Sequence, residues 1–207
     1  MFLLRLRRNG YYYTMNKTLL IFDFDGTLAD CKKLHQDAFR QAALEVCPNI
    51  EYRDEDLEAL SSKQKIKLLL EQGFVFDEDK LFEIKQHLTM LNIEQYIQYD
   101  PTLDILLDDL KQDYIMCVNS NATRSFVDNC LSIMQLKIFD LVCTATEFPS
   151  KPDTTMYEHT MQHFNISPSD TTIFEDSEVG INAAKKTGAN VVTVTDAEHL
   201  KELLYDY

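Results

Sequence analysis

The sequence predicts an α/β protein: a doubly wound parallel sheet of Rossmann-like type, with a small helical cap inserted after the first strand. Three observations carry this. Residues 18–22 (TLLIF) form a short apolar run without alternation, the pattern of a strand buried on both faces. Comparable runs recur at 114–118, 141–144, 171–174 and 191–194, and amphipathic stretches separate them. Strands alternating with helices make a parallel sheet covered on both sides. Residues 31–99 break the rhythm, offering helical periodicity and no convincing strand.

Each element has a local reason. Leu34, Ala38, Ala42 and Val46 recur at helical spacing, which opens the insertion with a helix. Ser61-Ser62-Lys63-Gln64 has the capping-box pattern ahead of Ile66, Leu69 and Leu70, and Gly73 closes that helix. Leu81, Ile84, Leu88 and Leu91 make a third stripe. Beyond the insertion, Leu103, Leu106, Leu107 and Leu110 mark one face after Pro101, and Phe126, Cys130, Leu131 and Met134 mark another. Residues 156–164 follow Pro152, and 180–186 close at Gly188 as helices often do. The expected division is a core of 15–30 and 100–207 with a cap of 31–99. A cap at that point hangs over the C-terminal strand ends, where open α/β sheets bind ligands.

Composition narrows the function. The 207 residues are 45% hydrophobic and 26% charged, ordinary for a folded globular chain and unlike a disordered or coiled-coil one. No run approaches the roughly 18 apolar residues of a membrane span. The 34 acidic against 20 basic residues give a net charge of -14, which repels nucleic-acid backbones. A small phosphorylated metabolite stays open as a partner where local cations or a metal overcome that field; the chain is expected to act as a monomer or weak homodimer. Five scattered cysteines without C-x-x-C spacing read as free thiols of a reducing, cytoplasmic compartment, with Cys117 and Cys143 as buried apolar side chains. Residues 1–14 (MFLLRLRRNGYYYT) carry too short an apolar run for a signal peptide and read as a tail or upstream-start extension before Met15.

Chemistry gathers at four strand ends. The first strand runs into Asp23-Phe24-Asp25-Gly26-Thr27, two carboxylates at a spacing of two that face one side of the sheet edge. Gly26 permits a sharp turn, and the Gly26 and Thr27 N–H groups can aim at an anion. Ser120 and Asn121 supply a hydroxyl and an amide for a phosphate oxygen, although an N-cap for the next helix would use them equally well. Lys151-Pro152 offers a cation, and Glu175-Asp176-Ser177 precedes Gly180 with adjacent acids that dipole complementation alone would also explain. Their joint occurrence in register favours phosphoryl transfer, which needs a nucleophile, an acid, a phosphate clamp, a cation and metal carboxylates.

DFDGTLAD, the Ser120 element, Lys151-Pro152 and the Glu175-Asp176-Ser177 run with Gly180 resemble the four motifs of the haloacid dehalogenase-like hydrolase superfamily. The helical cap is similar to that of the subgroup typified by β-phosphoglucomutase and phosphoglycolate phosphatase. The resemblance spans Lys17 to the C-terminus. It implies that Asp23 is the nucleophile, Asp25 the general acid and base, and Ser120 and Lys151 the phosphate-binding pair. It also implies a Mg²⁺ held by Asp23, the Asp25 carbonyl and Asp176, with Glu175 as an extra ligand. His35, Lys63 and Arg124 are the substrate candidates in and near the cap. The expected activity is that of a Mg²⁺-dependent phosphatase working through an aspartyl-phosphate.

Two rivals remain: a phosphosugar mutase on the same scaffold, and a catalytically idle binding or regulatory module. The intact acid and lysine set disfavours the idle module, since scaffolding needs none of it. The β-phosphoglucomutase pattern has a Lys-Gly pair and an arginine in the cap where this chain reads Glu58-Ala59-Leu60-Ser61-Ser62. A chain beginning at Met15 is expected to keep its Tm and kcat; loss of folding on truncation would give the tyrosine run a packing role.

Overall fold

The computed structural model describes residues 5–6, 12–13, 18–57, 60–205 and 207. Two short strands, β1 (Arg5–Leu6) and β2 (Tyr12–Tyr13), pair antiparallel. The rest of the expected 1–14 tail lies outside the described residues. Five strands then build one parallel sheet: β3 (Thr18–Phe22), β4 (Tyr114–Ser120), β5 (Leu141–Thr144), β6 (Thr171–Glu175) and β7 (Asn190–Thr193). Their order is β5-β4-β3-β6-β7, so β3 lies at the centre.

Side-chain alternation explains why the core strands show no polar face. Leu20 and Phe22 of β3 point into one apolar cluster, with Met116, Val118 and Phe174 from the neighbouring strands. Leu19 and Ile21 point into the opposite cluster with Cys117 and Ile173. Each face is covered by helices. Leu103 and Leu107 of α4 (Pro101–Leu110), Phe126 and Val127 of α5 (Arg124–Ile133) and Leu200 of α8 (Ala197–Leu204) close the first. Tyr157 and Met161 of α6 (Thr155–Phe164) and Ala183 and Ala184 of α7 (Glu178–Lys186) close the second. Full burial of each large apolar side chain contributes about 1.5–3 kcal/mol, so an exposed polar face would forfeit half of that gain. Phe22 and Phe174, register partners across β3 and β6, stack with centroids 4.8 Å apart. Helix α8 lies beyond the elements read from periodicity.

Between β3 and α4 the chain makes α1 (Lys32–Val46), α2 (Ser62–Glu71) and α3 (Glu78–Tyr96). They share an apolar cluster that includes Ala38, Phe39, Ala42, Ile66, Leu69 and Leu81. Ser61 caps α2 in a full capping box with Gln64, and Gly73 follows with a φ of 96°. The lower ends of this layer join the main core, through Leu34 on one side and Ile93 and Ile97 on the other.

Two expectations need correction here. Leu91 is 66% exposed, while Lys85 and Thr89 occupy the buried face of α3. Over 19 residues a helix drifts off a strict heptad, so the face that begins at Leu81 passes through Lys85, Leu88 and Thr89. Strands β4 and β6 also run past Val118 and Phe174 to Ser120 and Glu175, because Thr144 and Thr193 of the neighbouring strands supply ladder partners there. Polar composition hides these last residues from periodicity, yet they are the ones that carry chemistry.

Candidate active site

All four expected elements converge at the C-terminal edge of the sheet. Asp23 leaves β3 with its N–H donated to the Phe174 carbonyl at 2.9 Å, so the carboxylate stands between β3 and β6. It is 7% exposed. Lys151, 5% exposed, reaches in from the loop after β5; its Nζ donates to Asp23 Oδ1 at 2.5 Å and also to Glu175 Oε1. Glu175 is fully buried at the end of β6, and Asp176 follows it. One oxygen from each of Asp23, Glu175 and Asp176 lies within 4.8 Å of the others.

Two glycines make this packing possible. Gly26 has a φ of 92°, and a Cβ there would collide with the Asp176 carboxylate. A Cβ at Gly180 would collide with the Glu175 carboxylate. The electrostatics follow from the crowding. Burial pushes the Asp23 carboxyl well above the usual range; Lys151 opposes this, while Glu175 and Asp176 reinforce it. Burial, with Glu175, raises Asp176 to about 6. Burial alone would lower Lys151, but Asp23 and Glu175 outweigh it and hold the ammonium charged above its usual range. Three carboxylates therefore face one cation, and the buried Asp176 Oδ1 has no hydrogen-bond partner among the described residues.

Asp25 is turned toward the cap. Its Oδ1 accepts the Cys31 N–H at 3.2 Å, and its Oδ2 lies 3.1 Å from His35 Nε2. His35, near the start of α1, rests against the Phe126 ring of α5 with centroids 5.2 Å apart. Ser120 is buried at the end of β4, and its Oγ accepts the Ala122 N–H at 3.1 Å. Thr27 is buried, with a hydroxyl that has no partner among the described residues.

Five of the expected site residues make contacts within the chain. The Gly26 N–H is donated to the Ala29 carbonyl at 2.8 Å, closing the turn, so it is not open to an anion. Asn121 spends its side chain on the Lys151 main chain: Oδ1 accepts the Lys151 N–H at 2.7 Å and Nδ2 donates to its carbonyl at 3.3 Å. That side chain orients the lysine main chain. Arg124 donates to Glu147 at 3.1 Å and to the Val142 carbonyl at 2.6 Å, which commits its guanidinium to β5 and the loop after it. Lys63 is exposed and lies 5.9 Å over the Phe82 ring. Glu175 stays within the carboxylate group, but its oxygens already accept from Lys151, Tyr157 and Ser177.

The pattern reading missed Lys85 and Tyr157. Lys85 Nζ lies 3.3 Å from His35 Nδ1, so a buried cap cation stands directly behind the histidine that meets Asp25. The signal was a lysine four residues after Leu81 and three before Leu88, in the middle of an apolar face. Tyr157 sits on an apolar helix face like any core aromatic, and its hydroxyl gives no sign in sequence of the partner it finds.

The fold and this acidic site define a class. The sequence model described as haloacid dehalogenase-like hydrolase matches residues 20–194, and the chain belongs to that family. Validoxylamine A 7'-phosphate phosphatase from Streptomyces hygroscopicus subsp. limoneus is 24% identical over 191 residues, covering 88% of this chain and 89% of the relative. β-Phosphoglucomutase from Bacillus subtilis (strain 168) is 26% identical over 189 residues, covering 84% and 82%. The crystal structure of CbbY from Rhodobacter sphaeroides in complex with phosphate has the same fold, with a TM-score of 0.69 at 20% identity over 86% of this chain and 85% of that one.

Lys85 generates a prediction about stability. Burial lowers its ammonium to about 8 from 10.5, with Lys65 adding repulsion and Asp25 opposing, and no carboxylate pairs with it among the described residues. Below about pH 8 the folded state carries the full penalty, on the order of 3 kcal/mol. Between 8 and 10.5 the unfolded chain holds the proton that the folded one has lost, so stability rises with pH. Lys85→Met should therefore be at least as stable as the parent in urea unfolding at neutral pH, with the difference shrinking toward alkaline pH, and yet turn over substrate more slowly. A destabilised Met variant would make Lys85 a structural residue.

Proposed function

We propose that the protein is a Mg²⁺-dependent phosphomonoesterase that hydrolyses a small phosphorylated metabolite through an aspartyl-phosphate on Asp23. The observation that carries this reading is the buried Asp23 carboxylate, held on Oδ1 by Lys151 and grouped with Asp176 at the edge of the sheet. Lys151 leaves Asp23 Oδ2 without a hydrogen bond among the described residues, an oxygen lone pair available to attack phosphorus. The similarity to a phosphatase and a phosphomutase supports the reaction class. The five free thiols suit a reducing cytoplasm.

The donor set fits a hard cation. Crowded carboxylate oxygens repel one another, and the buried, unpartnered Asp176 Oδ1 calls for a positive partner. Asp23, Asp176 and the Asp25 main-chain carbonyl would hold Mg²⁺. When bound, the ion offsets negative charge on the phosphoryl oxygens.

The chain's own residues supply the rest. Asp23 forms a bond to phosphorus as the bond from phosphorus to the ester oxygen breaks, and protonated Asp25 gives its proton to the departing oxygen. Asp25, now a carboxylate, takes a proton from the water that attacks phosphorus in the second step; the bond to Asp23 then breaks and inorganic phosphate leaves. His35 holds the Asp25 carboxyl in place for both transfers. Lys151 offsets the charge on Asp23 and the transferred group, and Ser120, whose oxygen accepts from Ala122, keeps its own proton to donate to a phosphoryl oxygen.

Asp23→Asn is expected to lower turnover by at least about a thousandfold while the Tm stays near that of the parent. EDTA should abolish parent activity and Mg²⁺ restore it. Comparable turnover by the variant, or full activity in excess chelator, would remove Asp23 or the metal from these roles.

The mutase relative supports a second reading, in which a sugar hydroxyl accepts the phosphoryl group. Glu58 and Ala59, in the cap stretch expected to differ from the mutase pattern, lie outside the described residues. Phosphate release is expected to exceed sugar-phosphate isomerisation, with or without a sugar bisphosphate activator. Faster isomerisation would make the enzyme a mutase.

A further inference from the structure

Tyr157 is fully buried, and its ring packs in the cluster below β3. A tyrosine kept only for packing has no use for its hydroxyl, since phenylalanine fills the same shape without a donor to satisfy. Here the hydroxyl is used. It donates to Glu175 Oε1 at 2.5 Å, the oxygen that also accepts the Lys151 ammonium. The Tyr157 ring meanwhile lies 5.3 Å from Lys151 Nζ. Ser177 donates to the other oxygen of Glu175 at 3.2 Å, and Gly180 leaves that carboxylate just enough room.

We propose that Tyr157 is a positioning residue for phosphoryl transfer: its hydroxyl, by donating to Glu175, sets how the Lys151 ammonium is shared between Glu175 and the nucleophile Asp23. This rests on the hydrolase reading above. A proton donated to Glu175 Oε1 drains charge from the oxygen that competes with Asp23 for the ammonium. The ring face stabilises the cation from beside it without pulling it off line. Lys151 therefore stays against Asp23 Oδ1, where negative charge gathers as phosphorus is attacked. Without the phenol, Glu175 keeps its full charge and draws the ammonium away. Ser177 cannot compensate, because it binds the other oxygen.

Tyr157→Phe keeps the ring and removes only the donor. With p-nitrophenyl phosphate and Mg²⁺, kcat is expected to fall about tenfold and KM to change less than about twofold. Added to Glu175→Gln, the same substitution should lower kcat by less than about twofold, since Tyr157 acts through the Glu175 charge. A parental kcat in Tyr157→Phe, or additive losses in the double variant, would overturn the proposal. The crystal structure of Tyr157→Phe gives a readout independent of activity. Its Lys151 Nζ should move from Asp23 toward Glu175, and an unmoved ammonium would also overturn the proposal. If the parent hydrolyses no phosphate monoester, the hydrolase reading fails, and the position of Lys151 in that crystal structure decides the role of Tyr157 separately.

Discussion

The ammonium of Lys151, buried between Asp23 and Glu175, is the interaction around which the sheet edge is organised. A buried charge without partners costs several kcal/mol, so the lysine must meet carboxylates, and the carboxylates must be held still to meet it. That requirement joins three separate chain segments: the end of β3, the end of β6 and the loop after β5. It also accounts for their neighbours. Asn121 grips the lysine main chain on both sides, Tyr157 and Ser177 hold Glu175, and Gly26 and Gly180 leave space where any side chain would collide.

The arrangement still leaves negative charge in excess. Asp176 has an unpartnered buried oxygen, and Asp23 is held above the ordinary carboxylate range. In the proposed reaction a bound cation would offset this excess, so that an anionic phosphoryl group can enter beside three carboxylates. Electrostatic preorganisation of this sort is the largest contribution to catalysis in most sites that stabilise developing charge.

The helical insertion repeats the logic from the other side. Its own apolar cluster lets α1, α2 and α3 hold one another, while Leu34, Ile93 and Ile97 anchor the layer to the core. Within that layer Lys85 is buried against His35, which in turn meets Asp25. The Cys31 N–H, at the very start of the insertion, holds the other oxygen of Asp25. The proposed acid is thus positioned by the insertion, whereas the proposed nucleophile is positioned by the sheet.

The sequence by itself determined the sheet, its helical covering and the four strand-end elements. Local pattern suffices for these, because burial on both faces leaves an unbroken apolar run and a polar strand end stands out against it. It also determined that helices follow the first strand, with Ser61 and Gly73 at the two ends of α2. Only the tertiary structure decided which polar groups meet. The Asn121 side chain and the Gly26 N–H bond within the chain, and Arg124 meets Glu147 across 23 residues. Lys85 and His35 lie 50 residues apart, and Tyr157 and Glu175 lie 18 apart on a helix and a strand. Periodicity reports which face of an element is buried. It carries no information about the partner on the far side of that face, and partnership alone separates a positioned charge from a solvated one.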